Sequence, residues 1–216
     1  MVKIKRSPKP EKYNIQSNEF FEVLVKDCYD KCYICEQRNF RDAQKEHIIA
    51  HLNNDPKLEN DWNNILLACS TCNNIKRTSR IIDCTDIDPE KYIKLRYERN
   101  NFGHQDNILV EVRDKNKGTD FLTETIEILT KVYNSVDLAN KNRASRVLRD
   151  EVKEELSKFR NDLITYITEP DEAIKKSHFN KIKKLIQIDT QFAAFKRQII
   201  RDNPMLSSEF ATTLNA

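Results

Sequence analysis

Two Cys-x-x-Cys pairs, Cys32–Cys35 and Cys69–Cys72, constrain the fold of this chain more than any other feature of its sequence. Four thiolates in two such pairs are enough to complete a tetrahedral zinc site. A site of this kind is closed to substrates and holds together the segments that carry its ligands. The pairs therefore predict a small zinc-stabilised unit in the first eighty residues, and by themselves they also fit a purely structural zinc module.

The composition bounds the kind of protein. Of the 216 residues, 33% are charged and 38% are hydrophobic, and the mean hydropathy is −0.73. No run approaches the roughly 18–20 apolar residues of a membrane span, and the opening residues lack the apolar segment of a secretory signal. We therefore expect a cytoplasmic, helix-rich protein without membrane association. Cysteines stay reduced in that compartment, which favours metal binding over disulfides.

Two further cysteines leave the ligand set partly open. Cys28 lies four residues before Cys32 and could replace a ligand, although the two regular spacings favour the other four. Cys84 belongs to no motif, so we expect it to be a free thiol.

The net charge of +3 is weak support for nucleic-acid binding, but the charge is unevenly distributed. Residues 1–80 contain 14 Lys and Arg against 11 Asp and Glu, a difference of +3 that equals the whole excess. Residues 1–18 form a basic arm whose cations include Lys3, Lys5, Arg6 and Lys9. Two interpretations of the arm stay open: a solvated tail, or a segment that contacts phosphate or a partner.

The patterning predicts an α+β fold that is mostly α. We expect a short helix within residues 19–35, then two short strands joined by a long loop, the last being Ile65-Leu66-Leu67. A helix should follow from the second cysteine pair to about Arg80. Residues 19–99 are assigned to this zinc-stapled domain. Residues 100–120, which contain both glycines, are assigned to a linker or an exposed hairpin.

Residues 121–216 are predicted to form a helical C-terminal subdomain without a catalytic motif. One long helix is marked by apolar residues that recur every three or four positions: Leu148, Val152, Leu156, Phe159, Leu163 and Ile167. Glu169-Pro170 should end it. Further helical patterns cover 121–133, 172–188 and 190–201. A second apolar cluster could pack in the chain's own helical bundle or dock on a partner, and its members are Phe192, Phe195, Ile199 and Ile200.

The residues between and after the cysteine pairs favour a catalytic site over a purely structural zinc module. Glu46 and His47 lie between the pairs, Asn64 follows, and the second pair runs into Asn73. Carboxylate and amide oxygens suit Mg²⁺ or Mn²⁺. A histidine beside a metal-binding carboxylate is placed to take a proton from water at neutral pH. Trp62 is expected to pack in the core behind the strand pair.

Residues 28–80 resemble the HNH endonucleases, whose ββα-metal motif reads roughly (D/E)-H … N-(L/I) … C-x-x-C-(H/N)-x-x-K. The resemblance implies that His47 is the general base and that Glu46 and Asn73 hold a catalytic Mg²⁺ or Mn²⁺. It gives Asn64 the task of holding the hairpin that presents the histidine. The four cysteines match the zinc-stapled subgroup and would bind one structural Zn²⁺.

The same resemblance makes Lys76 the trailing lysine of the motif. Lys76 or Arg77 would then add positive charge where it builds on the phosphate during hydrolysis. The chain departs from the family at two positions. Ala50 replaces a common proline, and Arg77 occupies a position where some members place a third protein ligand. His51 could supply another ligand or contact the substrate.

A narrower resemblance rests on the strings I-K-R-S-P-K-P, C-Y-I-C-E and D-W-N-N-I-L-L-A-C-S-T-C-N and on the long helical C-terminus. Together they are similar to the HNH component of Septu-type anti-phage systems, which also occurs with some retrons. This resemblance implies a partner ATPase of the ABC/SMC-like kind. The chain carries no G-x-x-x-x-G-K-[ST], so ATP chemistry would come from that partner.

The expected function is therefore hydrolysis of nucleic-acid phosphodiesters, with DNA favoured over RNA as the substrate. The alternative is a zinc-stapled nucleic-acid or protein binding module that has lost the chemistry. Intact Glu46, His47 and Asn73 favour the enzyme, because a binding module has no physical need for that trio.

Overall fold

The structure is a computed structural model that describes residues 1–10, 14–40, 42–51, 55–100, 106–136 and 139–215, with no side-chain description for 139–141. Within these ranges the chain combines helices with two separate two-stranded antiparallel sheets. The predicted α+β class with a helical C-terminal region is confirmed. Across the described residues, no helix is both long enough and apolar enough to cross a membrane.

A ββα unit follows a short first helix. Helix α1 (Asn18–Asp27) begins at the cap of Ser17, whose side chain accepts a hydrogen bond from the Phe20 amide. Strand β1 (Ala43–His47) pairs antiparallel with strand β2 (Ile65–Cys69). Between them lie helix α2 (Pro56–Glu59) and a 3₁₀ turn. The predicted strand pair and its long loop are confirmed, although residues 52–54 of that loop lie outside the described residues.

Helix α3 (Ser70–Lys76) completes the unit. Its N-cap is Cys69, whose sulfur accepts a hydrogen bond from the Cys72 amide at 3.4 Å. The helix is shorter than the expected run to about Arg80. It ends because Arg77 adopts a positive φ of 50°, a conformation that L-residues rarely adopt and that cannot continue a right-handed helix.

A second hairpin occupies part of the segment that was assigned to a linker. Strand β3 (Ile93–Glu98) pairs with strand β4 (Asn107–Val112), with Ile93 opposite Val112. The hairpin is anchored on the helical region rather than exposed, because Asn134 bonds both backbone groups of Ile108, at 3.0 and 2.7 Å. Residues 101–105 of the connecting loop lie outside the described residues.

In the described part of the C-terminal region there are six helices: α4 (Leu122–Asn134), α5 (Ala139–Thr168), α6 (Glu172–Leu185), α7 (Ala193–Arg201), α8 (Pro204–Glu209) and α9 (Ala211–Leu214). Helix α5 ends before Glu169 and Pro170, as expected. Its predicted apolar stripe is buried from Leu148 to Leu163, whereas the last member, Ile167, is 48% exposed.

The helical region and the ββα unit share one hydrophobic core. That core includes Leu66 of β2, Tyr133 of α4, Leu148 of α5 and Phe195 of α7. The Tyr133 hydroxyl donates to the Cys35 carbonyl at 3.0 Å, so α4 is bonded directly to the first cysteine loop. The C-terminal helices therefore bury the back of the zinc-binding unit.

The proposal of a docking cluster at the end of the chain is wrong. Phe192 and Ile200 are fully buried and Phe195 is 1% exposed, while Ile199 is half-buried against the same cores. Burial of these side chains inside the protein leaves no apolar surface for a partner at this position. The competing interpretation, that they pack in the chain's own bundle, is the correct one.

The basic N-terminal arm is not a solvated tail over residues 1–10. Val2 and Ile4 are 2% and 3% exposed, and the Ile4 amide donates to the Cys84 carbonyl at 2.8 Å. Arg6 lies over the Trp62 ring at 3.9 Å, and Trp62 is buried behind β2 as expected. The arm is thus packed along the ββα unit; residues 11–13 lie outside the described residues.

Candidate nuclease site

The site is built by packing α3 against one face of β1. Residues two apart on a strand share a face, as do residues three apart on a helix. Gln44 and Glu46 of β1 thus meet Asn73 and Lys76 of α3. The Asn73 amide donates to Gln44 Oε1 at 2.8 Å, and Lys76 Nζ donates to Glu46 Oε1 at 2.8 Å. Gln44 was not singled out from the sequence, although its place two residues before Glu46 put it on the same face.

Lys76 connects both members of the Glu46-His47 dyad. Its side chain is 0% exposed, and its ammonium donates to the Glu46 carboxylate and to the His47 backbone carbonyl, the latter at 2.7 Å. A fully buried ammonium cannot reach a phosphate in solvent. The expectation that Lys76 contributes charge at the phosphate is therefore corrected: its charge is directed inwards, onto the dyad. Arg77, by contrast, is exposed.

The carboxylate of Glu46 lies in a nearly closed environment, 7% exposed. Burial raises the pKa of Glu46 above its usual value, and the hydrogen bond and charge of Lys76 oppose that rise. Burial disfavours the charged carboxylate and the ammonium favours it. The ion pair with Lys76 thus offsets part of the cost of burying the carboxylate.

His47 is half-buried at the end of β1. Its ring Nε2 lies 2.9 Å from the Glu59 carbonyl, and its ring centroid lies 4.5 Å from that of His51. A carbonyl only accepts hydrogen bonds, so this contact fits the tautomer with the proton on Nε2 and leaves the lone pair on Nδ1. Burial lowers the pKa of His47, and His51 and Lys76 lower it further, against the Glu59 carbonyl. A neutral imidazole with a basic Nδ1 follows.

Asn64 fixes the chain directly after His47. Its Oδ1 accepts from the Ile49 amide at 2.8 Å, and its Nδ2 donates to the carbonyls of Ile49 and Leu58 at 2.9 and 3.1 Å. The Asn64 carbonyl also accepts from the Ile48 amide. The side chain is 5% exposed, so these bonds are shielded from water.

The four predicted cysteine ligands come together behind the strand pair. The sulfur atoms of Cys32, Cys35, Cys69 and Cys72 all lie within 4.8 Å of one another, and Cys35 and Cys69 are 4.0 Å apart. A tetrahedral zinc with Zn–S bonds of ~2.3 Å places its sulfurs about 3.8 Å apart. All four side chains are buried. The donor set, spacing and burial fit one zinc ion, so the four cysteines are positioned to bind it.

Cys28 and Cys84 lie outside this cluster, which settles the open alternative. The Cys28 sulfur accepts a hydrogen bond from the Leu67 amide at 3.3 Å, and burial raises the pKa of Cys28 to about 12. Burial also raises the pKa of Cys84 well above the usual value. Neither sulfur belongs to the group of ligand atoms that lie within 4.8 Å of one another, so the geometry selects the other four cysteines.

The contacts group the remaining site residues into three sets. Glu46 and Lys76 form one, Asn73 and Gln44 a second, and the His47 ring contacts His51. Among the described His, Cys, Asp and Glu side chains, the cysteine quartet is the group close enough to hold a metal by three or more ligands. A catalytic ion would therefore depend on fewer side chains from these elements and on water.

Comparison with known proteins finds a family that resembles this segment. Residues 32–79 match the family model for the HNH endonuclease. The matched range includes both cysteine pairs, β1, β2 and α3, so the ββα unit is similar to an HNH endonuclease domain. No curated protein and no solved structure matches the chain.

Proposed function

We propose that this protein is a metal-dependent endonuclease that hydrolyses nucleic-acid phosphodiesters with His47 as the general base. The observation that carries the proposal is the pKa of His47 and the contact of its ring nitrogen within the HNH-like segment. Its imidazole is favoured in the neutral form and its Nε2 is engaged with Glu59, so Nδ1 is the atom that accepts a proton.

The proton movement then follows from the geometry. His47 Nδ1 takes the proton of a water as the water oxygen attacks phosphorus, the bond from phosphorus to the 3′ oxygen breaks, and the 3′ oxygen takes a proton from a solvent water. The products carry 5′-phosphate and 3′-hydroxyl ends. Asn64 keeps the backbone after His47 in place through the Ile49 bonds, so the imidazole is presented in one orientation.

Glu46 and Asn73 are the residues that would hold a divalent ion such as Mg²⁺ or Mn²⁺. Their carboxylate and amide oxygens match the ligands that these ions prefer. When bound, the ion would supply Lewis-acid stabilisation of the phosphate and the leaving oxygen. Lys76 acts on this arrangement as a positioning residue, since it restrains the Glu46 carboxylate and the His47 carbonyl together.

The proposal extends to a biological setting, an anti-phage defence complex in which an ABC/SMC-like ATPase controls the nuclease, with DNA favoured over RNA. Its support is the similarity of the sequence strings around Cys32, Trp62 and Cys69 to the HNH component of Septu-type systems. Co-expression with such an ATPase and size-exclusion chromatography tests this part separately. Absence of co-elution would contradict it and leave the nuclease proposal intact.

One observation favours a second candidate, an HNH scaffold that binds without cutting. The Glu46 carboxylate already has a cationic partner, so it does not require a divalent ion for charge balance. A binding module would keep affinity for its ligand and show no turnover with any metal.

A cleavage panel separates the two candidates. Purified chain is incubated with plasmid DNA, single-stranded DNA and tRNA, with Mg²⁺, with Mn²⁺, and after mild chelation that leaves zinc bound. The nuclease proposal predicts cleavage of at least one substrate, lost on chelation and restored by either ion. Full activity in the chelated protein would contradict a catalytic divalent ion, and binding without cleavage in every arm would favour the second candidate.

A further inference from the structure

An open groove of about 1280 Å³ lies between the N-terminal arm, the segment around Glu90 and the end of the chain. Seven of its lining side chains are cationic: Lys3, Lys5, Arg6, Lys91, Arg113, Arg197 and Arg201. Three are acidic: Asp86, Asp88 and Glu90. The lining thus carries a formal excess of four positive charges, which is larger than the net charge of the entire chain.

Guanidinium groups are concentrated around a single buried carboxylate. Glu90 is 6% exposed and pairs with Arg197 at 2.8 Å and Arg201 at 2.5 Å. Arg113 donates to the Glu90 carbonyl at 2.6 Å. Burial and then the neighbouring Arg201 lower the pKa of Arg113, which reports two like charges held close together. Asp88, which also lines the groove, favours the charged form of Arg113 as well, so two carboxylates face three guanidiniums and this wall keeps a net positive charge.

The arm supplies exposed cations to the same groove. Burial alternates along its first residues, with Val2 and Ile4 in the core and Lys3 and Lys5 exposed. Packing of the apolar pair thus directs the two lysines to the groove. Lys91, also exposed, lies on the segment that carries Glu90.

The groove leads to the nuclease hairpin. Asn63, which precedes Asn64, lines it and also lines the next cavity, which contains Ile48 and Ile49. That next cavity is lined by four aspartates, Asp61, Asp83, Asp86 and Asp120. Asp86 lines both cavities, so the cationic groove adjoins the acidic cavity beside the hairpin, and a polyanion is favoured in the groove and disfavoured in the acidic cavity.

We propose that this cationic groove binds the sugar-phosphate backbone of the nucleic-acid substrate beside the bond that is cleaved. The inference rests on the proposed function for the identity of the substrate. Exposed Lys3, Lys5 and Lys91 contact phosphates, and the guanidinium wall supplies the longer-range field. Binding through phosphates is independent of sequence and weakens with salt.

The test measures binding without catalysis. A His47→Ala chain and the same chain with Lys3→Gln, Lys5→Gln and Lys91→Gln are titrated against fluorescent single-stranded and duplex oligonucleotides at several KCl concentrations. Loss of three phosphate contacts should weaken binding about tenfold or more and reduce the slope of log K against log salt by about 2–3. A matched control replaces three exposed lysines outside the groove, Lys131, Lys158 and Lys176.

The groove proposal is wrong if the triple variant binds oligonucleotides with unchanged affinity and salt slope, or if the control variant loses as much affinity. Poly-glutamate is titrated as a second polyanion. The proposal is also wrong if the triple variant loses binding to poly-glutamate but keeps binding to oligonucleotides. The last would indicate an acidic protein partner instead.

Hydrolysis of bis(p-nitrophenyl) phosphate by chains with intact His47 reports on the nuclease centre separately, because this substrate is too small to occupy the groove. The same three lysine substitutions, made in the chain with intact His47, should leave that hydrolysis unchanged. A parent chain that hydrolyses nothing would count against the proposed function, while the titration still decides the groove.

Discussion

The Lys76 ammonium lies 2.8 Å from the Glu46 carboxylate, with the lysine side chain fully buried and that of the glutamate 9% exposed. The same ammonium donates to the His47 carbonyl. A lysine that sequence similarity placed near the substrate therefore stabilises the dyad from within the protein.

Replacement of Lys76 by Met keeps the length of the side chain and removes its charge. We expect the free energy of unfolding to fall by about 3 kcal/mol, because the buried Glu46 carboxylate loses its ion-pair partner. The double variant Glu46→Gln, Lys76→Met should recover part of the loss, since no buried charge then remains. Urea unfolding of the zinc-loaded proteins measures both. An unfolding midpoint equal to that of the parent would show that the pair contributes nothing.

The role of Asn64 in stability can be tested with its neighbour Asn63 as the control. Asn64→Ala removes three shielded hydrogen bonds and leaves the Ile49 amide unpaired, so we expect a loss of about 2 kcal/mol and slower cleavage. Asn63 is exposed, and its replacement by Ala should cost less than about 0.5 kcal/mol. Equal thermal shifts for the two variants would refute the anchoring role of Asn64.

Zinc should be present at about one ion per chain, as expected of a four-thiolate site. Cys72→Ala removes a ligand and should lower both zinc content and thermal stability. Cys84→Ala serves as the control, because Cys84 is equally buried but lies outside the cluster. Elemental analysis with a thermal melt decides the question, and a Cys72→Ala protein with full zinc would contradict the ligand assignment.

Cleavage should depend on pH through the base form of His47. The pKa of His47 is lowered from its usual 6.5, mainly by burial, so the neutral base is retained to lower pH than in a free imidazole. The rate should be constant near neutrality and fall as the pH drops through this lowered pKa, because protonated His47 cannot accept a proton. A pH–rate profile at saturating Mg²⁺ tests the sign. A rate that decreases between pH 6.5 and 8 would oppose it.

The ββα unit could be predicted because its signals are local. Cysteine spacing, the apolar run Ile65-Leu66-Leu67 and the long loop before it are signals within short stretches of chain, and the structure reproduces the strand pair and the cysteine cluster. The burial of Lys76 was not predictable from its i+3 spacing after Asn73. That burial depends on where α3 ends at Arg77 and on what packs over it.

The helical region shows what local sequence patterns could not predict. An apolar stripe predicts that a helix face is buried, but not which surface covers it. Phe192 and Phe195 therefore fitted a partner groove and an internal core equally well. Both rings are buried, and Phe195 packs edge-on against Tyr133, 62 positions earlier, which no local pattern could show.

The most direct test of the account is the single-turnover cleavage rate of His47→Ala on the best substrate of the panel, with Mg²⁺ present. His178→Ala is the control, since His178 lies on α6, outside residues 32–79 that match the HNH endonuclease model. The account predicts that His47→Ala cuts ~10²–10⁴ times more slowly than the parent, with zinc content and unfolding midpoint unchanged, while His178→Ala cuts at the parental rate. A His47→Ala protein that is folded, zinc-loaded and as fast as the parent would contradict the central claim.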